Sequence, residues 1–277
     1  MRLTLGFSPC PNDTFMFDGM VHSKIDTEGL EFEPVLRDVE LLNQSAFEEE
    51  FDITKISYHA YLRLIHSYLL LNSGSALGHR CGPLLISKNS VDIRSLSENQ
   101  IGIPGKWTTA NFLLQFFLQK KINARIFVFS EIEQALLDEA IQAGVIIHEN
   151  RFTYESKGLK KIQDLGEHWE SETGSPIPLG GIVTRRKFDQ ELLSKIDRVM
   201  RRSVEFAFVN PGTSRAYVKK HAQEMDEAVI QQHIQLYVND HSIDLGEAGR
   251  KAVTLMLHRA AQFHDIPIGA FPLFIGY

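Results

Sequence analysis

Between residues 101 and 148 the chain reads IGIPGKWTTANFLLQFFLQKKINARIFVFSEIEQALLDEAIQAGVIIH. Short apolar runs at Ile101–Pro104, Ile126–Phe129 and Val145–Ile147 have the character of strands. Between them lie two segments of helical period. One runs from about Thr109 to Gln119 and carries Phe112, Leu113, Phe116 and Phe117. Ahead of the other, Ser130 and Glu133 have the S-x-x-E spacing of a capping box, and Gly144 stands where the helix would close. Strands alternating with helices of this length predict βαβ units and a mainly parallel sheet, so the class is α/β.

The same alternation extends toward the N-terminus. Leu3–Phe7 reads as a strand, followed by a helix capped by Asn12 or Asp13 and carrying Phe15, Met16, Gly19 and Met20. Leu30–Glu33 alternates with period two, and Asp38 offers an N-cap to a helix bearing Val39, Leu42, Ala46 and Phe47. Phe51–Thr54, Leu69–Leu71 and Leu84–Ser87 are further strands, with a short helix at Tyr58–Ile65. Beyond Pro178 the texture changes: Leu179–Thr184 makes one more strand, and Asp189 to about Phe263 reads as helix, with Asp226 as an internal cap. Two arrangements fit. Either the chain crosses over near Lys88–Asn99 and returns near Pro178–Gly181, leaving a discontinuous first domain and a hinged cleft, or two domains follow in sequence with a helical cap after residue 185.

Composition excludes several classes. The 277 residues are 43% hydrophobic and 23% charged, as in an ordinary globular protein, and the formal charge of −6 argues against a nucleic-acid partner. Cys10 and Cys81 are too few for a disulfide framework and fit a reducing compartment. The apolar run after Met1-Arg2 stops at Ser8-Pro9-Cys10-Pro11, which reads as a strand and not a signal peptide, and no run is long enough to span a membrane. The expectation is a cytoplasmic protein with no membrane partner; the oligomeric state is not encoded legibly.

Four strand candidates end in compact polar segments: Ser8–Thr14, Lys55-Ile56-Ser57, Gly105–Ala110 and His148-Glu149-Asn150-Arg151. In open α/β sheets ligands bind beyond the carboxyl ends of the strands, so these segments are the candidate rim. Ser8, Asn12, Asp13, Thr108, Glu149 and Arg151 are candidate lining residues. Thr108 and Thr109 precede a strongly apolar helix whose free amides suit an anion, although a threonine there can also be a simple cap. His148 can serve as a general base or as a structural loop histidine. Lys55 can neutralise an acidic ligand, and Cys10 is either a helix-start nucleophile or a packed thiol. There is no G-x-x-x-x-G-K-[ST], no strand-linked G-x-G-x-x-G, and no H-E-x-x-H or C-x-x-C, so nucleotide cofactors and metals are not expected.

Four blocks, G-F-S-P-C-P-N-D-T-F (Gly6–Phe15), T-K-I-S-Y (Thr54–Tyr58), G-K-W-T-T-A (Gly105–Ala110) and G-V-I-I-H-E-N-R-F-T-Y (Gly144–Tyr154), resemble the 1,4-dihydroxy-6-naphthoate synthases of the futalosine route to menaquinone. The likeness runs from Leu3 to the last long helix. It implies a two-lobed fold like the type 2 periplasmic binding proteins, with a central cleft. The larger discontinuous domain would comprise residues 1–90 and 182–277, and the inserted one residues 91–181. It further implies a lyase-type enzyme acting on a small carboxylated substrate without cofactor or metal. Carried over position by position, His148 matches the catalytic base, and Lys55, Ile56, Ser57, Thr109 and Ala110 match substrate-binding positions. A solute-binding protein of the same fold and the related chorismate dehydratase are the rival readings; the H-E-N-R-F-T-Y segment disfavours the latter.

Overall fold

A computed structural model describes residues 1–223 and 226–276. Its strands, in chain order, are β1 (Arg2–Phe7), β2 (Glu31–Leu36), β3 (Ile53–Ser57), β4 (Tyr68–Leu70), β5 (Ala76–Gly78), β6 (Leu84–Ser87), β7 (Ile101–Ile103), β8 (Arg125–Ile126), β9 (Ala143–Ile146), β10 (Lys160–Asp164) and β11 (Ile177–Arg185). The chain divides into two compact units, Met1–Gly78 with Pro178–Tyr277, and His79–Ile177. These boundaries differ from the expected 90/91 and 181/182. β6 hydrogen-bonds to β9 and β10 and so belongs with the second sheet, whereas β11 lies along β3 and β4 in the first.

The first sheet has the order β2-β1-β3-β11-β4, with β5 also on β11. β1 pairs parallel with β2 and β3, while β11 runs antiparallel to β3 and β4. The second has the order β10-β6-β9-β7-β8; only the β9-β7-β8 part is parallel. Both sheets are therefore mixed, not mainly parallel. The strands that break the expectation are the ones that follow a unit's crossover, and a reversal of direction there leaves no trace in hydrophobic period.

In the first unit Leu3, Leu5 and Phe7 of β1 pack on Phe15, Met16, Phe17 and Met20 of the helix Pro11–Val21. Phe7 and Phe17 stack with ring centroids 4.6 Å apart. The helix Gln190–Val209 closes this core with Ile196, Val199, Met200 and Val204, each side chain contributing about 1.5–3 kcal/mol on full burial. Ser203 lies at the crossing: its hydroxyl donates to the Met16 carbonyl (2.6 Å) and accepts from the Met20 amide (3.1 Å). Asp189 caps that helix through the Leu192 amide, and Asp38 and Asp226 cap theirs as read from sequence. Among the described residues no helix is long and apolar enough to cross a membrane.

Other local expectations change. The cap of Pro11–Val21 is Cys10, with Pro11 in the first helical turn, because proline's missing N–H costs nothing there. Asn12 and Asp13 are thereby freed for another network. β8 stops at Ile126, and Phe129–Glu131 is a 3-10 turn leading into the helix Ile132–Leu137. That helix has no side-chain cap, and Asp138 rather than Gly144 follows it. Gly144 lies inside β9, where a Cβ would press on Ile132 and Leu136 of the same helix.

In the second unit Phe112 and Phe116 of the helix Thr109–Leu118 pack on Trp169 of the helix Leu165–Thr173, with centroids 6.3 and 5.4 Å from its ring. Leu84, Ile86, Ile132, Leu136 and Ile146 form the core on β6 and β9. The start of Leu165–Thr173 touches the chain just before β6: the Leu165 amide donates to the Pro83 carbonyl (3.0 Å), and a Cβ on Gly82 would strike the Gly166 backbone. Gly82→Ala is expected to destabilise the protein by about 1–3 kcal/mol, read as a lower urea midpoint at unchanged m-value.

Candidate active site

In the first unit, β1 and β3 are parallel neighbours, so the segments that follow Phe7 and Thr54 lie side by side at their carboxyl ends. Asp13, 1% exposed, is the centre of what gathers there. Its Oδ1 accepts from Lys55 Nζ (2.7 Å) and Asn12 Nδ2 (3.0 Å). Its Oδ2 accepts from the Ser8 hydroxyl (2.8 Å) and amide (3.2 Å). A buried carboxylate is tolerable only when paired and hydrogen-bonded in this way. Because Asn12 Nδ2 faces Asp13, its Oδ1 faces His233, whose Nε2 lies 3.1 Å away and must donate. Three of the sequence-derived lining residues and Lys55 thus belong to one network, and His233 joins it from the helix Glu227–Tyr237. Nothing in the sequence marked that histidine, one of 11.

Ser57 stands two residues along β3 from Lys55 and therefore on the same face of the strand. Asn43 of the helix Val39–Phe47 holds it through both its amide (2.9 Å) and its hydroxyl (3.1 Å). Ile56, fully buried and on the opposite face, can contribute only its main chain to a ligand site. Gly180 of β11 lies against this strand; a Cβ there would meet the Ile56 carbonyl and the Lys55 stem. Asp38, at the cap of the Asn43 helix, has its carboxyl held above the ordinary range by burial, opposed by the amides of the helix start.

In the second unit, β7 and β9 are also parallel neighbours, and they deliver Thr108–Ala110 and His148–Arg151 to one edge. Thr108 Oγ1 accepts from the Asn111 amide (3.2 Å) and donates to the Gly105 carbonyl (2.8 Å), so the cap reading of this threonine holds. Thr109 and Ala110, both buried, form the first turn of the helix, where backbone N–H groups and the dipole favour an anion. His148 has φ of 58°, a left-handed conformation that turns the chain sharply just past β9. Its ring stands edge-on to Phe129, with centroids 4.8 Å apart.

The loop carrying His148 is braced from behind. Asn150 Nδ2 (2.5 Å) and Lys157 Nζ (2.6 Å) both donate to Glu133 Oε2, so Glu133 anchors this loop instead of capping its own helix. Arg151 donates to the Gly82 carbonyl and to Asp164 Oδ2 (2.6 Å), bonds that tie the loop to the strand β6 approach and to β10. Cys10 caps a helix without a side-chain cap bond, and burial pushes the Cys81 thiol up to about 12, well outside the reactive range. Among the described residues, neither unit by itself brings three potential metal ligands together.

A family model described as Menaquinone biosynthesis matches residues 3–262. The chain belongs to that family. A family relative from Thermus thermophilus named 1,4-dihydroxy-6-naphthoate synthase is 41% identical over 258 residues, 93% of each chain. One of the same name from Streptomyces coelicolor is 39% identical over 271 residues, 96% of this chain and 95% of its own. A crystal structure of an Archaeoglobus fulgidus protein superposes with a TM-score of 0.88 at 35% identity, covering 95% of this chain and 98% of that one. A Candida albicans protein of the periplasmic binding protein fold superposes with a TM-score of 0.65 at 11% identity, covering 100% and 98%. The fold of this menaquinone-biosynthesis family member is thus α/β and periplasmic-binding-protein-like. Asp13→Asn, which leaves Lys55 buried without its counter-charge, is expected to cost about 3–5 kcal/mol, measured by urea unfolding at neutral pH.

Proposed function

We propose that this protein is a 1,4-dihydroxy-6-naphthoate synthase, a lyase that converts cyclic dehypoxanthine futalosine into 1,4-dihydroxy-6-naphthoate and dihydroxyacetone. The observation that carries the reading is the position of His148. In a chain about 40% identical to two proteins of that name, this imidazole follows a parallel strand and sits in a braced, left-handed turn. Its strand neighbour leads into a helix start suited to an anion.

The substrate joins a carboxylated ring system to a sugar-derived spiro ring. Release of a three-carbon ketose needs a proton removed from a hydroxyl or adjacent carbon while carbon–carbon and carbon–oxygen bonds break, a retro-aldol-like sequence driven by aromatisation. A neutral imidazole suits that proton, and such general-base help is worth roughly 10²–10⁴ in rate. In this reading His148 takes the proton, Lys55 supplies positive charge, Ser57 a hydroxyl donor, Ile56 its main chain, and Thr109 with Ala110 backbone amides. Lys55, Ser57, Thr109 and Ala110 offer donors, as a ligand rich in carboxylate and hydroxyl oxygens requires. The protein is proposed to act in the cytoplasm on a small carboxylated molecule, with no nucleic-acid or membrane partner.

Incubation of the purified protein with cyclic dehypoxanthine futalosine is expected to release dihydroxyacetone and the naphthoate in equal amounts. Saturable binding without turnover would make it a solute-binding protein. His148→Asn is expected to keep the fold and most of the affinity while lowering kcat at least a hundredfold; near-wild-type turnover would remove His148 from the mechanism.

A further inference from the structure

We infer that Asn43 is a positioning residue that fixes Ser57 as a hydrogen-bond donor toward the ligand; the inference rests on the proposed function. The polarity follows from what each atom can do. The Ser57 amide can only donate, and it lies 2.9 Å from Asn43 Oδ1, so that atom is the oxygen and the other end of the carboxamide is the NH₂. The NH₂ lies 3.1 Å from Ser57 Oγ and, more weakly, 3.4 Å from Glu40 Oε2. Ser57 Oγ is therefore already an acceptor, and its proton must point elsewhere.

Two further observations make this arrangement purposeful in physical terms. Ser57 occupies the N-cap of the short helix Tyr58–Tyr61, where a serine ordinarily turns its oxygen onto a helix amide; here no such side-chain bond forms. Asn43 itself is fully buried, so its amide keeps this geometry only because all three of its polar contacts are met. On the same strand face, Lys55 holds Asp13 with one of its three N–H groups, and among the described residues no second acceptor is bonded to it. Two donors on one face of β3, with the hydroxyl oxygen engaged by Asn43 and making no bond to a helix amide, suit an oxygen-rich anionic group such as the substrate carboxylate.

The sequence gives no hint of this. Asn43 sits inside a helix of ordinary period, three residues after a buried glutamate, and reads as a core-facing polar residue with no assigned task.

The test is a double-mutant cycle on the purified enzyme with cyclic dehypoxanthine futalosine. In Asn43→Asp the carboxylate still accepts from the Ser57 amide but can no longer donate to Oγ, so the hydroxyl turns back onto it. KM is expected to rise about tenfold or more with a smaller change in kcat, and Ser57→Ala to do the same. In the Ser57→Ala background, Asn43→Asp is expected to add less than about threefold. Equal losses in both backgrounds would mean that the new charge acts directly, and an unchanged KM would mean that Asn43 is structural only; either overturns the inference while leaving the function intact. Wild-type enzyme without turnover overturns the function and the inference with it. Should Asn43→Asp not fold, as judged by its thermal transition, Asn43→Ser, too short to span both groups, replaces it in the cycle with the same expected and overturning results.

Discussion

A carboxylate with no access to water has to be surrounded by donors, and Asp13 meets that demand with four: the hydroxyl and amide of Ser8, the Asn12 carboxamide and the Lys55 ammonium. Ser8 follows β1 and Lys55 lies in β3, so the charge balance of one side chain fixes how the ends of two neighbouring strands are placed. Asn12 passes the constraint to His233 and so to a helix more than two hundred residues away in sequence. Without this pairing Lys55 has no reason to be buried, and the face it shares with Ser57 has no defined chemistry.

The second unit solves a similar problem with different residues. Glu133 and Asp164 are both buried, and each receives cationic and neutral donors from the segment that follows β9 or from its surroundings. His148 is thereby carried on a turn whose far side is anchored at Asn150 and Arg151. A left-handed residue costs conformational energy unless its neighbours hold it, and these two anchors are the neighbours that do so. In both units the candidate chemistry sits where parallel strands end, and buried ion pairs keep those ends in place.

Much of this could be read from the chain directly. Short apolar runs separated by amphipathic segments gave the α/β class, and the caps at Asp38 and Asp226 were legible because an aspartate before a helical stripe has few other uses. The polar segments that close β3 and follow β1, β7 and β9 were visible as a group. Strand direction was not, since β6, β10 and β11 have the same composition whether parallel or antiparallel. The S-x-x-E pattern at Ser130 misled because Glu133 gains more from Lys157 and Asn150 than from a helix amide, and both partners are distant in sequence. Asn43 and His233 went unnoticed for the same reason: their meaning lies wholly in what the fold brings beside them.

The hydroxyl of Ser203 reaches Met16 across 187 positions, and this bond lies at the heart of the first unit's core. On a ribosome, the opening strands and helix must wait for nearly three-quarters of the chain to emerge before their apolar faces can be covered. The intervening unit, His79–Ile177, is compact in itself and continuous in sequence, and has no such delay. Synthesis therefore passes through a stage in which the middle of the polypeptide can be native while its beginning is still exposed to chaperones and proteases.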